Sequence, residues 1–163
     1  MTRGHGLEAL EIAERVRAHA LALGDEHPDG ELMIVALLPS GDAFSRLLSR
    51  SLRVPHTLDA IAISRLGSGR RGSATVTRWP DRPVRGRAVV VVDAVVHTGL
   101  TLHFALRQLA AAQPASLEAC VLDDRRRLRL VDDLPLRGTP AARGAYAVAA
   151  ATPVGFDPAP SAA

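Results

Sequence analysis

The sequence predicts an α/β fold with a mainly parallel sheet flanked by helices. Four consecutive valines, Val89 to Val92, read as a strand buried on both faces, which is the pattern of a parallel sheet. Residues 32–38 form a second apolar run of the same kind. Such runs alternate with segments of helical period, and in sheets built this way ligands bind beyond the carboxyl ends of the strands.

In chain order, residues 7–23 carry an apolar stripe of Ala9, Ile12, Ala13, Val16, Ala20 and Leu23, which predicts a helix ended by Gly24. Glu11 and Arg15 are spaced to pair across one of its turns. After the strand at 32–38, Pro39, Ser40 and Gly41 make a stop, and a short helix follows with Phe44, Leu47 and Leu48 facing inward. Residues 58–64 and 75–78 read as extended. The segment between them, residues 65–73, packs three glycines and three arginines into nine positions. It is either a solvated hairpin tip or a lid over an anionic ligand. Past the valines, Leu102, Ala105, Leu106 and Leu109 mark one face of a helix closed by Pro114. Residues 117–122 predict another strand and 145–151 a last one. Residues 1–151 are expected to form a single domain, and the tail from Thr152 is expected to be loose.

Composition narrows the function. The net charge is only +3 and aromatic residues are 3% of the chain, so nucleic acid is not an expected partner. No apolar run reaches membrane length, so the expected location is cytoplasmic. The single cysteine, Cys120, admits no disulfide or zinc framework. All 20 basic residues are arginine, so any task that a lysine performs elsewhere falls here to another side chain. His5, His19, His27, His56 and His103 lack metal-ligand spacing and read as surface or helix-face residues.

The chemistry concentrates at residues 89–102. Asp93 stands where the valine strand is expected to end, and Thr98, Gly99, Leu100, Thr101 and Leu102 open the next helix. A turn of this kind presents backbone N–H groups and two hydroxyls at the positive end of a helix, which suits a phosphate. A carboxylate just before it can reach ribose hydroxyls or a magnesium ion. The same pattern also arises when a strand merely ends in Asp and a helix is merely capped by Thr.

Taken in order, these segments resemble the type I phosphoribosyltransferases, most closely the hypoxanthine-guanine (6-oxopurine) branch. The likeness rests on Ile12-Ala13-Glu14-Arg15-Val16, residues 32–48, Leu58-Asp59 through Gly67, and Gly86-Arg87-Ala88-Val89 into Asp93. It continues in Thr98-Gly99-Leu100-Thr101-Leu102 and in Pro114-Ala115-Ser116-Leu117-Glu118. The resemblance implies transfer of the phosphoribosyl group of PRPP to a purine base with release of pyrophosphate, in the presence of Mg2+. It implies that residues 98–101 hold the 5′-phosphate and that Asp93 takes the ribose hydroxyls and the metal. Leu38 to Gly41, with Pro39, Ser40 and Gly41 touching the ligand, would form the pyrophosphate loop, and residues 65–73, beginning at Arg65, the hood. Arg125 would stand where the family has its purine-contacting lysine, and Tyr146 would stack on the base. Relatives are often dimers or tetramers, so a homo-oligomer is possible. The family's pyrophosphate loop holds a cis peptide that maps onto Leu38-Pro39, a bond type that adopts cis far more readily than others. We therefore expect that bond to be cis; the rival account is that Pro39 simply ends a strand.

The chain departs from the family pattern at several positions. Ala94 replaces the second of two adjacent acids. His97 replaces an aspartate assigned as base; an imidazole can accept a proton at neutral pH, or His97 is a passive loop residue. Arg65-Leu66 replaces the hood's Ser-Tyr pair, Pro39 replaces the pyrophosphate-loop lysine, and the C-terminal signature lacks a counterpart. Purine phosphoribosyl transfer is thus the first expectation. The alternatives are a PRPP- or nucleotide-binding regulatory module on the same fold, and a phosphoribosyltransferase for another base.

Overall fold

The computed structural model describes residues 8–66, 73–125 and 136–137. They form helix α1 (Ala9–Glu26), strand β1 (Leu32–Leu38), helix α2 (Asp42–Ser51), and strands β2 (His56–Leu66), β3 (Ser73–Arg78) and β4 (Ala88–Val96). Helix α3 (Leu100–Ala111) and strands β5 (Ser116–Asp124) and β6 (Leu136–Arg137) follow. The strands make a six-stranded sheet in the order β3-β2-β1-β4-β5-β6. Only β3 runs antiparallel to its neighbour. The predicted architecture is therefore the observed one. Two expectations, the strand at 145–151 and the loose tail, lie outside the described residues.

The valine run has the reason for its composition in the two layers around it. Val89 and Val91 face α3, packing with Leu102, Ala105, Leu106 and Leu109. Val90 and Val92 face the other way, into a cluster with Val16 and Leu23 of α1 and Phe44 and Leu48 of α2. Side chains alternate across a strand, so a strand covered on both faces needs apolar residues at every position.

Two local expectations are corrected. Gly24 does not end α1, which runs on to Glu26. The stop is made by Pro28, whose ring disfavours helical backbone at the residue before it; His27 sits at φ −125°, ψ 58°. Leu47 is exposed, and Ser45 takes the inward position with Phe44 and Leu48. His19 takes the helix-face alternative, on the buried side of α1 with its ring 5.9 Å from that of Phe44. The Glu11–Arg15 pair does form, and Arg15 also donates to the Leu122 carbonyl oxygen, tying α1 to β5.

Candidate active site

The carboxyl ends of β1, β4 and β5 lie side by side, and the candidate site is built there. β1 pairs with β4 only as far as Ala36 opposite Val92. It then leaves the sheet through a turn that begins with a cis Leu38-Pro39 bond, as expected. The turn is tight: the Gly41 N–H donates to the Leu37 carbonyl at 2.7 Å. It also lies directly on β4, since a Cβ at Gly41 would stand 2.1 Å from the Val92 carbonyl oxygen. The side of β4 that β1 vacates is thus occupied by the turn.

Asp93 opens into this gap. It does not end the strand, because pairing with β5 carries β4 on to Val96, with Val95 opposite Asp123 and Val96 opposite Asp124. The side chain is 6% exposed, and its Oδ1 accepts the Ser40 hydroxyl from the turn. Burial pushes the Asp93 carboxyl above its ordinary range. The Ser40 hydroxyl, the N–H groups of Ala94 and Val95 and the nearby His97 oppose that rise.

After β4 the chain turns through His97, Thr98 and Gly99. Gly99 adopts φ 81°, a left-handed conformation that favours glycine, and caps the amino end of α3. The Leu100 N–H lies 3.4 Å from the Thr98 hydroxyl. By helix geometry the N–H groups of Thr101 and Leu102 have no acceptor inside α3. The Leu102 side chain is in the core, so only its backbone can serve a ligand. His97 is exposed beside this turn. The arrangement is a nest of donors at a helix amino terminus, a few residues from a buried carboxylate, and it suits an anion attached to a polyol.

Two further sequence candidates border the site. Arg125 follows β5, and its N–H donates to the Val96 carbonyl at 2.9 Å, which brings it beside the β4–α3 turn. Its guanidinium pairs with Asp123 at 3.2 Å. Arg65 lies near the carboxyl end of β2, opposite Ala74 of β3, so the β2–β3 hairpin does carry the candidate hood. Residues 67–72 of that hood and Tyr146 lie outside the described residues.

Asp59, quoted in the sequence only as part of a matching segment, proves to be a structural anchor. This nearly buried acid on β2 accepts the N–H groups of Ala60 at 2.8 Å and Arg82 at 2.9 Å. Burial pushes its carboxyl up, but donors from Arg82, Ala60 and Asp81 and the charge of Arg78 outweigh it and hold the group below the usual range. The available signal was an acid next to the apolar residues Leu58, Ala60, Ile61 and Ala62. At the opposite end of the sheet, His27 meets Glu118 at 3.4 Å, and Glu26 joins them with its ligand atom within 4.8 Å. The fold thus assembles a histidine–carboxylate group that sequence spacing did not show.

Cis turn, buried acid and glycine-capped helix meet at the carboxyl ends of a mainly parallel sheet, where α/β proteins bind their ligands. Residues 7–141 match the phosphoribosyl transferase domain, and the chain belongs to that family. Among its relatives is the hypoxanthine-guanine phosphoribosyltransferase of Mycobacterium avium, 32% identical over 124 residues. That alignment takes in 71% of this chain and 61% of the relative's own length. The hypoxanthine phosphoribosyltransferase of Salmonella typhimurium is 29% identical over 136 residues, covering 78% of this chain and 76% of that protein. Of solved structures, a hypoxanthine-guanine phosphoribosyltransferase from Bacillus anthracis superposes with a TM-score of 0.71 at 26% identity, covering 82% of this chain and 78% of the other. A mutant hypoxanthine phosphoribosyltransferase from Trypanosoma cruzi in a ternary substrates complex gives 0.70 at 26% identity, covering 76% and 73%. Among the described residues, no helix is long and apolar enough to cross a membrane.

Proposed function

We propose that the chain transfers the 5-phosphoribosyl group of PRPP to a 6-oxopurine base, hypoxanthine or guanine, releasing pyrophosphate in purine salvage. The observation that carries this reading is the contact between the 39–41 turn and Asp93, next to the nest that opens α3. In this reading the turn, the acid and the nest serve a pyrophosphate, a ribose and a 5′-phosphate respectively. Names of the relatives supply the base.

In this reading the N–H groups and hydroxyls of residues 98–102 bind and orient the 5′-phosphate. Asp93 accepts from the ribose hydroxyls and holds the C1 end of the sugar beneath the 39–41 turn. Bond breaking at C1 leaves positive charge on the ring and negative charge on the leaving pyrophosphate, so the site must present donors and exclude water. In this reading the hood that begins at Arg65 would exclude it. His97, exposed beside the turn, would accept the purine proton, and Arg125 would donate to the exocyclic oxygen. Tyr146 would stack on the base.

A magnesium ion fits the donor set. Asp93 is a hard oxygen ligand, and magnesium characteristically takes one or two carboxylates together with substrate phosphates. When bound it would neutralise pyrophosphate charge, with Asp93 as the protein group holding it.

The test is incubation with PRPP, Mg2+ and a panel of bases, following pyrophosphate release. Turnover with hypoxanthine or guanine supports the reading. Ala94, which leaves Asp93 without a neighbouring acid, favours a second reading: a PRPP- or nucleotide-binding module that does no chemistry. Binding without turnover on any base would select it. The variants Ala94→Asp and His97→Asp separate the two, since an active site responds in rate and a binding module only in affinity.

A further inference from the structure

At the amino end of β5, away from the candidate active site, one imidazole and two carboxylates converge from two elements. Glu26 is the last residue of α1, His27 caps that helix, and Glu118 is the third residue of β5. Their ligand atoms all lie within 4.8 Å of one another. His27 Nε2 and Glu118 Oε1 stand 3.4 Å apart, which is long for a hydrogen bond. It matches instead the edge of a tetrahedron, roughly 3.3–3.4 Å, whose bonds to the centre are the 2.0–2.1 Å that zinc makes to nitrogen and oxygen. Glu26 is exposed, so its side chain can swing to complete the set.

The surroundings favour a cation. The last turn of α1 holds no basic residue, and Glu26 adds its charge to the negative end of the helix dipole. Glu118 is 8% exposed and brings a largely desolvated carboxylate. An imidazole among the donors suits zinc or another late first-row divalent ion, whereas magnesium and calcium are held by oxygen. We propose that Glu26, His27 and Glu118 bind a divalent transition-metal ion, zinc above all, which clips the carboxyl end of α1 to β5. Three protein ligands leave a fourth position to water. Arg15 already ties α1 to Leu122 further along β5, and the ion adds a second tie between the same two elements. The site is independent of the phosphoribosyl reading and of Asp93, which lies towards the other end of the sheet.

The experiment titrates the full, untagged chain with Zn2+ calorimetrically and follows its thermal unfolding with Zn2+ and with EDTA. Wild type is compared with His27→Ala, Glu118→Gln, Glu26→Gln and Asp93→Asn. Wild type and Asp93→Asn should bind Zn2+ equally well, and Zn2+ should raise the unfolding midpoint of both. His27→Ala and Glu118→Gln should each lose more than ~100-fold in affinity, beyond the cost of removing an outer-shell partner, and their midpoints should not respond to Zn2+. Glu26→Gln, altered at an exposed position, should also weaken binding and decides the matter if either of the other two does not fold. A wild-type chain that binds no Zn2+, or binding that survives these substitutions, overturns the proposal. So does binding that is lost in Asp93→Asn instead.

Discussion

Asp59 gives the most direct test of how the sheet edge is held. Its carboxylate joins β2 to the segment between β3 and β4 by accepting the Arg82 N–H across 23 residues of sequence, and it also accepts the Ala60 N–H. A hydrogen bond to a charged group contributes about 1.5–3 kcal/mol. Arg82 is exposed, so water would satisfy part of what is lost there. Asp59→Ala should therefore destabilise by about 2–4 kcal/mol and Asp59→Asn, which keeps one acceptor, by about 1–2 kcal/mol, against a total stability of about 5–15 kcal/mol. Urea unfolding at neutral pH measures both, with an unchanged m-value showing that the unfolded reference is the same. Acidity supplies a second readout. The Asp59 carboxyl is held below its ordinary value in the folded chain. Its stabilisation is thus complete above the unfolded pKa of about 3.9 and fades as pH falls through the lower folded value. The gap between wild type and Asp59→Asn should accordingly close on acidification. A loss under about 1 kcal/mol for Asp59→Ala, well below two bonds of this class, would refute the reasoning. So would a gap that is the same at neutral and acid pH.

Other predictions follow from the remaining groups. Asp93→Asn should weaken ribose 5-phosphate binding by about tenfold. Because burial raises the Asp93 carboxyl, the ionised acceptor is lost on acidification at a pH above the ordinary carboxylate range; titrations against pH should show that loss in wild type and not in Asp93→Asn. Gly99→Ala forces an L side chain into φ 81°, costing on the order of 1–2 kcal/mol; ligands carrying a 5′-phosphate should weaken while the corresponding nucleoside does not. Burial also raises the Glu118 carboxyl, against the His27 contact. Its stabilising contribution is complete below the unfolded carboxylate pKa and is lost as pH rises through the folded value, so Glu118→Gln should flatten that decline in a pH series of unfolding midpoints. Burial pushes the Cys120 thiol well above its usual range; alkylation should be slow in the native protein and rapid in denaturant.

Much of this architecture was legible because periodicity reports burial. The valines of β4 and the four buried residues of α3 carry their environment in their spacing, and the cis bond at Leu38-Pro39 was expected only from what the family resemblance implies. Contacts between distant backbone and side chain were not legible. Asp59 looks like any acid at a strand edge until the Arg82 N–H is seen to reach it, and Ser40 looks like an ordinary turn residue until β1 stops short of β4. The extent of α1 was misread for a related reason. A glycine is tolerated inside a helix at a cost of about 1 kcal/mol, whereas the proline four positions later is not negotiable. Leu47 failed because a short helix presents too few turns for its apolar residues to define one face. Asp93 was placed at a strand end because acids commonly terminate strands, and pairing with β5 overrode that tendency.

The place of β2 and β3 in the sheet has a further consequence. The chain departs from β1, makes an excursion through α2 and the hairpin, and comes back on β4, which lies directly against β1. The 39–41 turn, Asp93 and the turn that opens α3 lie on or directly after the two strands at the mouth of that excursion, and the β2–β3 pair forms its far rim. Lengthening, trimming or recolouring the hairpin therefore leaves those groups where they are. Such a layout lets a lineage alter the β2–β3 pair while the groups on β1 and β4 stay still.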